Sequence, residues 1–365
     1  MDPEPRYFMK MEKFEDKLVT ILNYGALNLA LGIGYKHRIF DVMEDLNRPM
    51  TIPDLAGKSG LDERYLREWL GIVVTGGIIE LSADSSGEDH YFLPPSHAGV
   101  LTRKAGSNNL GVYTQEIPLL TLSALQGVEQ GFITGEGVPF SAYPDFQAFM
   151  SELADAKHEQ TLIQNFLPSV DGGKLISRLE KGIRVCDLGC GQGVALNLMA
   201  RAFPRSEFMG MDNHGEAIQR ARSSAQDLSN VNYRVLDAAR LKEDQEFRHQ
   251  FEYITAFDAI HDQSHPLQAL ESIRHMLSPG GLFSMVDIKA GSRHRDNLDH
   301  PMGPFLYTVS LMHCMPVGLN DRGRGLGMMW GKEKALALLA RAGFDRVEVL
   351  DIPNDGFNLH FLCRG

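Results

Sequence analysis

From Ile183 onward, short apolar runs alternate with longer amphipathic stretches, and this alternation constrains the fold more than any other feature. The runs are Ile183–Leu188, Glu207–Met211, Asn232–Leu236, Tyr253–Phe257, Gly281–Ile288, Arg346–Leu350 and Asn358–Cys363. Strand and helix at this spacing predict an α/β unit, a doubly wound seven-stranded parallel sheet with helices on both faces. Only Asp351–Phe357 separates the last two runs, which predicts a hairpin at the sheet edge with the last strand antiparallel.

The chain has 365 residues, about two domains' worth, and its first hundred follow a different rule. Thr51 can cap a helix Ile52–Lys58, Ser59-Gly60 makes a turn, and Asp62 caps a second helix running to about Thr75, where Gly76-Gly77 stops it. Ile78–Leu81 and His90–Leu93 then read as two short strands around a polar loop. Helix-turn-helix followed by a hairpin is the pattern of a winged helix. The division expected is a winged-helix dimerisation domain over 1–102, a helical connector or lid over 103–170, and the sheet domain over 171–365. Within the connector, Gly131–Gly137 and the following Val138–Pro144 read as a loop, whose Tyr143 either lines a ligand site or packs.

Charge narrows the partners. Thirty-six basic against 47 acidic side chains leave a net −11, the wrong sign for a nucleic-acid or anionic-membrane protein. The second helix, where a winged helix would read DNA, carries Asp62, Glu63, Arg64, Arg67 and Glu68, with no bias toward phosphate. Leu18–Tyr35 is uncharged and long enough for a membrane span, but its Asn23 and Asn28 favour a buried helix or a subunit interface. Cys186, Cys190, Cys314 and Cys363 form no CxxC pair and read as small buried hydrophobes in a reducing compartment. The N-terminus lacks a signal-peptide pattern, so the expected location is the cytoplasm. No HxH or HExxH spacing occurs among the histidines, so no metal is expected.

Chemistry concentrates at the strand ends. The first strand ends in Asp187-Leu188-Gly189-Cys190-Gly191-Gln192-Gly193 and opens a helix. Glycines at alternate positions let the backbone turn sharply against a ligand, and a helix N-terminus offers free N–H groups. Counting from Gly189, the sixth position is Val194, so the dinucleotide pattern G-x-G-x-x-G fails. Asp187 would repel a pyrophosphate and attract an ammonium. Asp212, ending the second strand, suits a pair of ribose hydroxyls, and Asp237, ending the third, suits an adenine amino group. Leu277-Ser278-Pro279-Gly280-Gly281 reads as a tight turn into the fifth strand.

Over about 183–365 this combination resembles the class I S-adenosylmethionine-dependent methyltransferases, which have a Rossmann-like sheet. The resemblance implies S-adenosylmethionine as cofactor, wrapped at its methionyl part by Asp187, Gly189, Gly191 and Gly193. It implies the ribose on Asp212 and adenine on Asp237, with Ala238 and Phe257 in the same site. With the winged helix in front, the chain is similar to plant-type small-molecule O-methyltransferases, which implies a homodimer. It is closer still to a bacterial and invertebrate group of winged-helix methyltransferases, through Ala259-Ile260-His261-Asp262-Gln263, Met312-His313-Cys314-Met315, Gly325-Leu326-Gly327 and Trp330-Gly331. That likeness implies no particular substrate.

In the plant-type enzymes a His-Asp pair after the fourth strand precedes Trp, and the His deprotonates the acceptor. Here His261-Asp262 matches and Gln263 replaces the Trp. His261 is either that base or a residue that caps the next helix or holds the cofactor backbone. His265, before Pro266, reads more as a cap than as a catalyst, and with Asp287 it is also a candidate for the acceptor pocket. Asp287 points to the same sheet edge, and Phe305, Met312 and His313, with Tyr143, are candidates for an apolar acceptor pocket. The implied reaction is methyl transfer to an O or N atom of a small molecule, without nucleic-acid or membrane partners. The rival is a winged-helix transcription regulator that senses S-adenosylmethionine.

Overall fold

The computed structural model describes residues 13–143 and 146–365. The chain forms two compact units, one ending at Pro118 and the other beginning at Leu119. The boundary between them falls inside the stretch 103–170.

The first unit runs α1 (Phe14–Lys36), α2 (Ile39–Leu46), α3 (Ile52–Ser59), α4 (Glu63–Thr75), β1 (Glu80–Ala83) and β2 (Asp89–Phe92), the last two pairing antiparallel as the wing. Local chemistry sets these ends. Thr51 accepts from the Asp54 N–H while the Asp54 carboxylate accepts from the Thr51 N–H, a reciprocal cap on α3. Asp62 accepts from Arg64 and Tyr65 at the start of α4. Leu66, Trp69, Leu70 and Val73 form one buried stripe on α4, packed with Phe40, Met43 and Leu55. The Trp69 indole N–H donates to the Ala30 carbonyl at 2.8 Å. On the outer side of α4, Arg64 is paired with Glu68.

Of the two roles expected for α1, it does not fill that of a buried helix. Among its residues only Ala30, Gly32, Gly34 and Tyr35 are buried, so the described residues leave most of this helix uncovered. Phe14, Leu18, Leu22 and Tyr24 are exposed, Leu22 to 66%. By length and composition α1 is apolar enough to cross a membrane.

The second unit is built on seven strands, β3 (Arg184–Leu188), β4 (Glu207–Asp212), β5 (Val231–Val235), β6 (Phe251–Phe257), β7 (Leu277–Ile288), β8 (Val347–Ile352) and β9 (Asp355–Arg364), in the order β5-β4-β3-β6-β7-β9-β8. β3 to β7 run parallel, and β9 lies antiparallel between β7 and the edge strand β8. Alternate side chains feed two cores: Cys186, Ile254, Phe283 and Phe361 on one face, Val185, Tyr253, Leu282 and Leu362 on the other. The Leu277–Gly281 segment is not a turn ahead of its strand. It lies inside β7, where the register with β6 jumps from Phe251↔Leu277 to Tyr253↔Leu282, and Ser278 donates its hydroxyl to the Phe251 carbonyl.

A polar rung crosses three neighbouring strands of the sheet. Tyr253 donates to Ser284 at 3.0 Å, and the Ser284 hydroxyl lies 2.8 Å from His360 Nε2. Burial pushes the His360 pKa down to about 4. An unfolded histidine titrates near 6.5, so the unfolded chain takes up the proton first. This stability is complete above about pH 6.5 and is lost as pH falls toward 4, by about 3 kcal/mol at most. Urea midpoints measured across that window should fall less steeply for His360→Gln than for the native chain; equal slopes would contradict the assignment.

Candidate active site

Parallel pairing brings the C-terminal ends of β3, β4, β6 and β7 to one edge, and the site is assembled there. At the end of β3, Gly189, Gly191 and Gly193 all have positive φ, at 75°, 52° and 78°. Only glycine adopts this backbone freely. A Cβ on Gly189 would lie 2.5 Å from that of Ala259, and one on Gly193 would lie 2.4 Å from the Tyr233 hydroxyl. A Cβ on Gly191 meets nothing within 4 Å, so the middle of the loop faces open space. The helix Val194–Ala202 begins directly behind it.

Asp212, ending β4, holds this loop. Its Oδ2 accepts from Gly191 N–H at 2.9 Å and its Oδ1 from His214 N–H at 2.9 Å. A carboxylate offers about four acceptor positions, so two remain for a ligand. Asp187 lies deeper. It is buried and accepts from the Thr255 hydroxyl at 2.7 Å. Burial raises its pKa, the Thr255 bond opposes that, and nearby Asp212 adds to it, giving a value of about 7. Asp237 has local partners: Oδ1 accepts from Ala239 N–H at the start of a short 3-10 turn, and Oδ2 pairs with Arg240 at 3.1 Å. Ala238 is buried beside it. Phe257, the last residue of β6, stacks edge-on against His158 and Phe166.

The loop after β6 carries the second half of the site. His261 is buried, and its Nδ1 lies 2.9 Å from Asp287 Oδ1, which also accepts from Ile288 N–H. Its Nε2 faces Asp262 Oδ1 at 3.4 Å. Burial disfavours charge on this ring, but the Asp287 and Asp262 carboxylates outweigh it and hold its pKa well above the ordinary imidazole value. His261 is therefore one member of an Asp-His-Asp cluster.

Tyr143, Met312 and His313 come together through one backbone defect. Ser310–Cys314 is a π-type turn followed by Met315-Pro316. Pro316 has no N–H to give the Met312 carbonyl four residues back. The Tyr143 hydroxyl donates to that carbonyl instead, at 2.6 Å, and the Tyr143 ring meets His313 edge-on at 4.8 Å. Phe140, which sequence reasoning left unassigned, lies between the two halves, 5.0 Å from the His214 ring and 6.0 Å from that of His313. Phe305 packs in a separate apolar cluster with Ile288, Leu306 and Met329. His265 is the N-cap residue of the helix Pro266–Met276, but its side chain makes no capping bond. Other residues at this edge that sequence reasoning passed over are Asp258, Asn358, Asp355 and Lys157. Asn358 donates to Asp258 at 2.6 Å, and Lys157 pairs with Asp355 at 3.0 Å. Burial lifts the Asp258 pKa to about 6, against the pull of Lys157. These groups meet through the β8–β9 hairpin, and no local motif announces them.

Residues 179–313 match the methyltransferase domain family, and residues 25–103 match the Rv2258c-like winged HTH domain. The chain carries a methyltransferase domain and a winged helix-turn-helix domain. Curated relatives include the ubiquinone biosynthesis O-methyltransferases of Shewanella pealeana, 26% identical over 144 residues (39% of this chain, 57% of that protein), and of Alkalilimnicola ehrlichii, 30% identical over 170 residues (45% and 64%). The alignments thus span about three-fifths of these relatives' length. Similar solved structures include human N-acetylserotonin methyltransferase in complex with SAM (TM-score 0.68, 16% identity, 98% of this chain and 99% of that one). Another is the mitomycin 7-O-methyltransferase MmcR (TM-score 0.66, 16% identity, 96% and 98%). At this identity the likeness is one of fold.

The glycines give a graded test. Gly193→Ala combines a left-handed backbone with a clash at Tyr233 and should lower stability by well over the ~1–2 kcal/mol of a left-handed alanine. Gly191→Ala carries only that backbone cost, which urea unfolding of the two variants will separate.

Proposed function

We propose that the protein is an S-adenosylmethionine-dependent methyltransferase acting on a hydroxyl oxygen of a small molecule. The observation that carries this reading is the contact of Gly189 with Ala259, which seats the open glycine loop two residues from His261. The loop fits the cofactor: Gly191 leaves room above it, and Asp212 keeps acceptor positions in reserve. Asp212 would hold the ribose hydroxyls, and the Gly189–Gly193 backbone would take the methionyl end. Asp237 would reach adenine only by giving up Arg240. When bound, S-adenosylmethionine supplies an electrophilic methyl group on a sulfonium.

The acceptor hydroxyl then needs a sink for its proton. His261 in its neutral form would supply it at Nε2, with Asp287 fixing the ring through Nδ1 and the two carboxylates stabilising the added proton. Tyr143, Met312, His313 and Phe140 provide an apolar wall that excludes water and orients the acceptor. The winged helix serves dimerisation in this reading. Its exposed α1 face offers apolar area, and pairing of Arg64 with Glu68 leaves α4 poorly suited to DNA.

Titration with S-adenosylhomocysteine should give a saturable heat for the native chain and none for Asp212→Ala. His261→Ala should keep that heat while losing about 10²–10⁴-fold in turnover on a hydroxyl acceptor. Retained turnover removes His261 from the mechanism. For the interface, Val19→Glu with Leu22→Glu should halve the molar mass seen by light scattering, and an unchanged mass excludes α1 as the dimer contact.

A further inference from the structure

We propose that His261, Asp262 and Cys314, with His313 beside them, form a binding site for a soft divalent transition metal such as zinc. One ligand atom from each of His261, Asp262 and Cys314 lies within 4.8 Å of the others. His261 Nε2 is 3.4 Å from Asp262 Oδ1, Cys314 Sγ is 3.6 Å from His313 Nδ1, and that nitrogen is 4.0 Å from Asp262 Oδ2. Four ligands in a tetrahedron around zinc, at bonds of ~2.0–2.3 Å, stand about 3.3–3.8 Å apart. The donors need only a small contraction to close on one ion.

Two further features fit a metal. Asp287 binds His261 Nδ1 and is itself fixed by Ile288 N–H, so the Nε2 lone pair can be turned toward the other donors. A carboxylate behind a ligating histidine is the usual outer partner of zinc-bound imidazole. Asp262 Oδ1 is sealed from solvent yet accepts no hydrogen bond. The π-type turn Ser310–Cys314 brings the consecutive His313 and Cys314 to the same side, which a regular helix would not. Nitrogen, sulfur and one carboxylate favour zinc, cobalt or copper over magnesium or calcium.

Binding exchanges protons for the ion: the Cys314 thiol proton, and the Nε2 proton of any His261 that is in its charged form, leave to solvent, and the metal takes the freed lone pairs. In the methyltransferase reading the loaded site can no longer accept the acceptor's proton, so metal holds the enzyme off. That consequence rests on the proposed function; binding itself does not.

The test uses the full chain, stripped with chelator and titrated with Co²⁺ in the absence of S-adenosylmethionine. The native chain should take up one cobalt and develop a thiolate-to-cobalt charge-transfer band. Cys314→Ser should lose the band, Cys190→Ser should keep it, and Asp287→Asn should bind about 10–100-fold more weakly. Thermal unfolding shows which variants are folded, and the native chain and Asp287→Asn carry the test if Cys314→Ser is not. No band in the native chain, or a band that survives in Cys314→Ser and vanishes in Cys190→Ser, overturns the site. A native chain that binds cobalt but transfers no methyl group even when stripped of metal would sink the proposed function alone.

Discussion

The site depends on one carboxylate. Asp212 ties the glycine loop to the end of β4 by accepting from both Gly191 and His214. Three successive left-handed glycines would otherwise have many conformations to choose from, and ordering each residue costs about 1–2 kcal/mol. Charge-assisted bonds to two backbone N–H groups offset part of that cost and leave the loop already shaped for a ligand. Steric limits do the rest: Ala259 and the Tyr233 hydroxyl crowd the outer two glycines, so the loop has little room except at Gly191.

A second constraint links the acceptor side to the chain before β3. Pro316 removes one helical hydrogen bond, and the Met312 carbonyl this frees takes the Tyr143 hydroxyl. The same defect widens the turn that carries His313 and Cys314. Thus one missing N–H positions Tyr143, opens the turn, and sets two metal-capable side chains beside the Asp-His-Asp cluster. Ring contacts of Phe140 with His214 and His313 then join this wall to the cofactor loop.

The sheet was legible because its signals are local. Apolar runs bounded by glycines and acids marked all seven strands, and Thr51 and Asp62 announced two helix starts through short-range caps. The motif Asp187–Gly193 was legible for the same reason, since strand, turn and helix lie within a few residues. What the sequence hid is non-local. Nothing near His261 shows that Asp287 and Asp262 flank it, and Cys314 belongs to a distant turn. Leu277–Gly281 misled because a bulge and a turn use the same glycines and proline. α1 left two readings open, a buried helix or a subunit interface, because apolar content does not say what covers it; the described residues cover only its C-terminal part.

The proposed function requires the edge formed by β3, β4 and β6 to hold S-adenosylmethionine and not a dinucleotide. Equilibrium dialysis with methyl-labelled S-adenosylmethionine against the full chain tests it most directly. One label should be retained per chain, displaced by S-adenosylhomocysteine and untouched by an excess of NAD. Displacement by NAD, or no retention at all, would contradict it.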